Sequence, residues 1–397
     1  TNLWKNSEYE YNDETLTELM LEESAAEIVP FAISYRNEKG YFGAAYHGES
    51  VNRLYQKTVA ILREALSTVS DVDACIEKDW QTALRAKGIL YDFEGVVPLA
   101  ALALQTGAEN ADRFTAFGRY LLFAENNFYI KNPSTGECFR LQHGLNAAEL
   151  RRVMDGMSAA KCTLALEAGN RKIAPETPIF EEAISAFSVN GYNPVSFFSE
   201  EQMLSLLKVF GMNYNTCGKY TEKDGTQVYI EDLNVLKIAS DGYITYSNEH
   251  GDEDAQGGII IASTGDIPTQ TEILQAANGM IARLSYLAGG NGATYMQNVM
   301  RQEEKATWVL RFGWSFGGIP IDRQKTGYCA EISVNGKRIT GVGFYMRSYE
   351  SAGSIIGVVP QKLAVAAVNG DKPGALGLRY TDGGGSGLIP HWYVKMK

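Results

Sequence analysis

Histidines are the side chains best suited to general acid–base work near neutral pH. This chain has four, at His47, His143, His250 and His391, and they lie far apart. Each stands in a context that reads structurally: His47 in Ala45-Tyr-His-Gly48 before a helix, His143 after a strand in Leu141-Gln-His-Gly144, His391 in Pro390-His-Trp392. Beside His250, Asp252, Glu253 and Asp254 crowd three carboxylates into one loop. An EF-hand loop needs acids at alternate positions and a later Glu, which this loop lacks, so a solvated linker is expected. The five cysteines, Cys75, Cys138, Cys162, Cys217 and Cys329, form no C-x-x-C or C-x-x-H, which removes the usual spacing for zinc and for thioredoxin-type exchange. Gly383-Gly-Gly-Ser-Gly387 offers backbone N–H groups and a hydroxyl to an anion, but it does not lead a strand into a helix. Leu388 also stands where a nucleophile elbow would need its last Gly. A flexible hairpin tip is the expectation. Gly289-Gly-Asn-Gly292 follows a helix rather than opening one, which suits helix termination better than dinucleotide binding. Carboxylates for glycoside cleavage would have to be picked from 47 Asp and Glu, most of them solvated. No catalytic, cofactor-binding or metal-ligating residue is assigned.

The 47 acids against 36 Lys and Arg give a formal charge of −11, which repels phosphate backbones and disfavours a broad nucleic-acid footprint. With 45% apolar and 21% charged residues the chain is globular in composition. Its 397 residues predict two to three domains, at about 150 residues each. Five thiols cannot all pair within one chain, and most are expected to be small buried residues, although a disulfide in a secreted domain stays open. The longest nearly uninterrupted apolar run, Val96 to Leu104, contains Pro98 and is about half of what spans a bilayer. The sequence starts at Thr1 rather than Met, and any membrane anchor is expected upstream of it.

The first 25 residues are acidic and carry Tyr9 and Tyr11. A helix follows from about Val51 to Leu66, with Ser50 as its cap and Leu54, Ile61, Leu62, Ala65 and Leu66 inward. A second, near Asp79 to Lys87, should stop at Gly88. Ile89 to Phe93 reads as a strand, closing an N-terminal α/β domain over 1–110. The central domain, 111–250, opens with Arg119 to Ile130. Asn132-Pro-Ser-Thr-Gly136 then turns the chain into a return strand, Glu137 to Leu141. Asn146 caps a helix burying Leu150, Val153 and Met157. Lys161 to Glu167 alternates like a strand, and Ser199 caps a helix with Met203, Leu204, Leu207 and Val209 inward. Strands are predicted at Gln227 to Glu231, Val235 to Ile238 and Tyr243 to Tyr246.

His250 to Gly258 is the best linker, before a C-terminal domain over 251–397. There Thr269-Gln-Thr-Glu272 fits a capping box. Ile273, Ala277, Ile281 and Leu284 continue the helix to Gly289-Gly290. Trp308 to Phe316 and Ala330 to Val334 read as strands, and Asn335-Gly336 predicts a type I′ hairpin returning through Ile339 to Arg347. Pro360 suits the first turn of a helix reaching Val368, and Leu376 to Tyr380 and His391 to Met396 close the sheet. The expected class is α+β, multidomain, with antiparallel sheets and helices packed on them; the central and C-terminal domains share an order of elements. Twenty-two Tyr and five Trp supply rigid amphipathic side chains of the kind that anchor interfaces. Trp308, Phe312, Trp314 and Phe316 share one strand parity, which favours a buried face over an interaction stripe. Tyr243 and Tyr246 have opposite parities and make no shared platform.

Several stretches together resemble a known family. Leu54 to Leu66, Trp80 to Gly88, Ile89-Leu-Tyr-Asp-Phe93 and Val97-Pro98 are similar to the opening domain of YycH-type proteins. Lys219-Tyr-Thr-Glu-Lys-Asp-Gly225, Val228-Tyr229, Leu236-Lys-Ile238 and Asp241-Gly-Tyr-Ile-Thr-Tyr-Ser-Asn248 resemble that family's strand, Asp-Gly turn and strand ending in Tyr. Ser315-Phe-Gly-Gly-Ile-Pro-Ile321, Ala330-Glu-Ile-Ser-Val-Asn-Gly336 and Ile339 resemble the C-terminal sheets of YycH and its relative YycI. The five cysteines and the Gly-rich tail depart from the family pattern.

The resemblance implies a non-enzymatic, extracytoplasmic regulator of a Gram-positive two-component system, anchored by an N-terminal transmembrane helix that this chain lacks. It implies control of a WalK-type sensor histidine kinase together with a YycI-like sibling regulator, without cofactors. An extracellular cell-wall hydrolase, or a small-ligand sensor with an apolar pocket between modules, are the alternatives.

Overall fold

The computed structural model describes residues 28–70, 72–125, 127–248, 259–302, 307–369 and 373–395. The acidic N-terminal stretch with Tyr9 and Tyr11 lies outside the described residues, as does the expected linker from His250 to Gly258 with its three acids. The class is α+β, and antiparallel pairing dominates.

The first sheet has nine strands: β1 (Ala32–Asn37), β2 (Gly40–Ala45), β3 (Val72–Ala74), β4 (Gly88–Pro98), β5 (Phe117–Ala124), β6 (Asn127–Lys131), β7 (Cys138–Gln142), β8 (Ala160–Leu164) and β9 (Pro178–Phe180). Their spatial order is β3-β7-β6-β5-β4-β1-β2-β8-β9. The expected boundary at residue 110 falls between β4 and β5, which are hydrogen-bonded neighbours here, Leu90 opposite Leu122.

Helix α1 (Gly48–Ser67) buries Val51, Leu54, Tyr55, Thr58, Ile61, Leu62, Ala65 and Leu66, a three-and-four spacing that lays one face on the sheet. Its cap is His47, whose Nδ1 accepts the Ser50 N–H at 3.3 Å, and not Ser50 as expected. Helix α2 (Glu77–Leu84) ends four residues before Gly88. Gly88 instead opens β4 opposite Ala124, because the ladder takes its backbone. Helix α3 (Leu99–Thr106) follows β4 directly, so the long apolar run is a strand end and a buried helix. Helix α4 (Ala147–Asp155) is capped by Asn146 as expected, with Met157 buried beyond its end. The expected strand through Glu167 stops at Leu164, where the chain turns.

Strand β10 (Ser185–Tyr192) leads to helix α5 (Glu200–Val209), whose Ser199–Gln202 capping box is complete. Strands β11 (Gly218–Thr221), β12 (Gln227–Glu231), β13 (Asn234–Ile238) and β14 (Tyr243–Asn248) form a meander, and β15 (Ile259–Ile260) follows. Helix α6 (Gln270–Ala288) has the expected Thr269–Glu272 box. Next come β16 (Ala293–Gln302), β17 (Thr307–Phe316), β18 (Ile319–Arg323), β19 (Ala330–Asn335), β20 (Arg338–Tyr345) and β21 (Ser348–Gly357). Helix α7 (Gln361–Ala367), with Pro360 as its cap rather than inside its first turn, precedes β22 (Ala375–Asp382), β23 (Gly387–Leu388) and β24 (His391–Lys395).

The main path of the twelve-stranded sheet runs β11-β12-β13-β14-β20-β19-β17-β18-β22-β24, with β15 on β20 and β16 on β17. Strand β14, before residue 250, pairs with β20, well after it. A small sheet, β21-β10-β23, completes the molecule. In the β19–β20 hairpin only Gly336 has positive φ, at 54°. The two-residue loop is thus Gly336-Lys337, the type II′ pattern rather than I′. The one-parity stripe on β17 is core: Leu310, Phe312, Trp314 and Phe316 are buried and Trp308 is half-buried against them. One hydrophobic cluster runs from Ile33 and Leu62 in the first sheet's layer to Leu284 and Phe344 in the second's.

Candidate functional site

Strand β4 is apolar on nearly every position, yet Asp92 and Glu94 sit within it. A charge among buried residues must be paired or it costs several kcal/mol. The pairing begins with a bulge. Asp92 faces Tyr120 on β5, but the next paired residue is Val97, opposite Gly118. Inside the bulge Glu94 takes φ of 63°, a left-handed conformation worth about 1–3 kcal/mol of strain in a residue with a side chain. Asp92 Oδ1 accepts the Glu94 N–H at 2.8 Å and fixes the bend. Gly95 follows because β4 here lies against β16: an added Cβ would stand 2.2 Å from the Met296 carbonyl. Strand β16 bulges at the same place, between Met296 and Asn298. Two bulges, one from each large sheet, therefore meet, and bulges re-aim side chains.

Glu94 is held from both sides. Arg119 on β5 donates to Asp92 at 2.7 and 2.9 Å and to Glu94 Oε2 at 3.0 Å. Arg379 on β22 reaches Glu94 Oε1 and donates to Asp322 Oδ1 at 2.6 Å. Burial works against the Arg119 charge, but Asp92 beside it outweighs that and its pKa is raised. Burial lowers that of Arg379, Tyr393 and Asp92 opposing it. Tyr46, also at positive φ (61°), packs edge-on against Trp392 at 5.5 Å, and burial pushes its hydroxyl well up.

Beside this network a cavity of about 480 Å³ is lined from the first sheet by Glu94, Arg119, Tyr120, Ser134 and Glu176, and from the second by Asn298, Arg311, Asp322, Tyr328, Arg379 and Tyr393. Glu176 accepts from Lys131 Nζ at 2.7 Å and from Trp80 Nε1 at 2.7 Å. Arg311 is paired with Glu331 at 2.7 Å. Among the described residues no group of three or more His, Cys, Asp or Glu is placed to hold a metal ion.

The three described histidines stay apart. His47 Nδ1 lies 3.1 Å from Ser50 Oγ, but this is a helix cap at the exposed surface. His143 is half-buried with Nε2 3.2 Å from the Ala124 carbonyl, and burial lowers its pKa. His391 Nε2 lies 3.3 Å from Thr381 Oγ1, and His250 is outside the described residues. Cys75 and Cys138 form a disulfide, a pairing the sequence left open. Cys162 and Cys329 are buried free thiols, Cys162 pushed up to about 12 by burial, and Cys217 is half-buried. The Gly-rich loop is not the free tip expected: Gly384 N–H donates to Asp382 at 2.7 Å, Gly385 C=O accepts from Arg347 at 2.7 Å, and Gly387–Leu388 pairs with β10. Sequence reading did not find Asp92, Glu94, Arg119, Glu176 or Arg379. Its available signal was the charged letter inside an apolar strand.

The nine- and twelve-stranded sheets, joined through this seam, and the small third sheet make an α+β architecture. The crystal structure of YycH from Bacillus subtilis is similar over 95% of this chain and 97% of its own, with a TM-score of 0.57 and 10% sequence identity. At that identity the likeness is one of fold. No family model matches the sequence, and no curated protein matches it.

Proposed function

We propose that this chain is a non-enzymatic, extracytoplasmic regulator that modulates a two-component sensor histidine kinase by docking onto it, with a YycI-like sibling as a second partner. The reading includes attachment to the membrane by an N-terminal helix outside this sequence. The observation that carries it is the likeness to YycH along nearly the whole of both chains. The Cys75–Cys138 disulfide supports an oxidising compartment. Among the described residues no helix is long and apolar enough to cross a membrane.

A regulator of this kind works by differential affinity. Moving a kinase from 1:99 to 99:1 between two states takes about 5.5 kcal/mol in favour of one of them. A stable interface of about 1,200–2,000 Å² is the usual size for such a contact. The first surface to test is the outer face of the small sheet, where exposed Phe187 stands directly opposite exposed Ile355 and Tyr192 lies further along β10. Exposed Phe197 follows on the short turn after β10. The test is co-purification of the full-length protein with its sensor kinase from detergent-solubilised membranes, with kinase autophosphorylation measured in the same vesicles. Retention of the kinase and a changed phosphorylation rate are expected. An unchanged rate with no co-purification of kinase or sibling would sink the proposal.

A further inference from the structure

The cavity between the two sheets has a chemistry of its own, separate from any docking surface. Its volume of about 480 Å³ falls in the ~300–1,000 Å³ range of small-molecule sites. Its lining carries three cations, Arg119, Arg311 and Arg379, and three anions, Glu94, Glu176 and Asp322. Every one of the six is already engaged: Arg119 by Asp92 and Glu94, Arg379 by Glu94 and Asp322, Arg311 by Glu331, Glu176 by Lys131. A ligand with net charge would find no free counter-charge there and would have to break a partly desolvated ion pair to gain one. Ion pairs nevertheless keep hydrogen-bonding capacity, because a carboxylate has about four lone-pair sites and a guanidinium five N–H donors. A hydroxyl group both donates and accepts, so it can join such a pair without displacing either member.

The groups left without protein partners point the same way. Tyr120 is only 3% exposed and lines the cavity, yet its hydroxyl makes no hydrogen bond among the described residues. The Asn298 side-chain amide, set at the β16 bulge, also makes none. Both are neutral groups that donate and accept. Aromatic walls complete the site. Tyr328 has Arg311 over its ring at 4.7 Å and Tyr393 has Arg379 at 5.3 Å. Such rings offer an apolar surface for the C–H face of a sugar.

We propose that this cavity is a binding site for a neutral, polyhydroxylated ligand, a mono- or disaccharide, held by Tyr120, Asn298 and the paired Arg and acid side chains, with its apolar face against Tyr328 or Tyr393. The proposal does not depend on the kinase partner and stands or falls separately from it.

The test is calorimetric titration of the whole chain with glucose, N-acetylglucosamine, maltose and cellobiose, set against glutamate, lysine and inorganic phosphate. Saturable binding of at least one neutral saccharide is expected, with none of the charged probes binding as tightly. Tyr120→Phe removes one hydroxyl and keeps the ring, and should weaken the saccharide about 3- to 10-fold, the worth of one hydrogen bond. Tyr393→Ala should weaken it by a similar factor. Far-UV circular dichroism and the thermal midpoint of each variant report whether the fold is kept, and Asn298→Ala gives an independent probe should either tyrosine variant unfold. Failure of every saccharide to bind overturns the proposal. So does preference for a charged probe, or saccharide binding that is indifferent to Tyr120→Phe, Tyr393→Ala and Asn298→Ala in folded protein.

Discussion

Lys131 is 2% exposed, and so is Glu176, the carboxylate it contacts at 2.7 Å. Lys131→Met keeps the stem and removes the ammonium, leaving Glu176 charged in a site that water barely reaches. Breaking a buried pair from one side costs about 3–5 kcal/mol. The lower end applies here, because the Trp80 N–H still donates to Glu176. The other lysine partner, Glu77, is 53% exposed and adds no more than about 1 kcal/mol. The expected loss is therefore about 3 kcal/mol, a fall in Tm of about 6–12 °C for a unit the size of the nine-stranded sheet and its helices. Adding Glu176→Gln to Lys131→Met removes the orphaned charge while keeping an acceptor for Trp80. That double variant should recover most of the loss, a coupling well above the ~0.5 kcal/mol at which independent sites add. Urea and thermal unfolding of the four proteins in the cycle measure it. A single variant costing under about 1 kcal/mol, or a double variant equal to the sum of its parts, would refute the claim that this pair is desolvated.

Two further expectations concern protons and thiols. Burial lowers the pKa of His143 from its usual 6.5, so the unfolded chain binds this proton more readily than the folded one. Its stability contribution is thus complete above about pH 6.5 and is lost as pH falls through 6.5 towards the lowered folded value. Tm should drop between pH 7.5 and 5.5, less so in His143→Gln; equal slopes would count against the assignment. The Cys75–Cys138 bridge spans 63 residues of sequence, a loop whose closure is worth about 4 kcal/mol in the chain-entropy account. Cys75→Ala/Cys138→Ala should lower the unfolding free energy by up to that amount, and dithiothreitol should then have no further effect. Continued sensitivity to reductant in the double variant would mean that another thiol pair matters.

Local grammar was the legible part of this molecule. Thr269 with Glu272 and Asn146 each set a helix start within a few residues, so their spacing alone locates the helices. The β17 stripe was readable because a period of two needs no partner to be recognised. Where distant chain meets, the letters fell short. Residue 110 looks like an end of a module, yet the backbone of β4 bonds to β5 across it, and nothing in either strand names its neighbour. His47 replaced Ser50 as a cap because imidazole can accept the same backbone N–H, a substitution that residue preferences do not favour. The Cys75–Cys138 pair depends on β3 lying beside β7, Ala74 opposite Phe139. Glu94 left a trace, a charge in an apolar strand, but its positive φ and its contact with Arg379, 285 residues away, exist only in the folded chain.

That contact explains why the junction is polar at all. Apolar surfaces such as Phe31 against Tyr295, with ring centroids 4.7 Å apart, attract without fixing a register, and they tolerate sliding. A desolvated ion-pair seam adds little net stability over an apolar one, but it is satisfied in few geometries. Glu94 offers one oxygen to Arg119 and the other to Arg379. Both are met only when β4 and β22 stand in one relation. A shift of an ångström or two would leave a buried guanidinium or carboxylate unpaired, a penalty several times larger than that of an imperfect apolar contact. The strained backbone at Glu94 is the cost of delivering that side chain to the seam, and the cavity beside it takes its shape from the same constraint. The two large sheets share one hydrophobic cluster as well, and the Glu94 carboxylate adds to it the directional contacts that an apolar junction lacks.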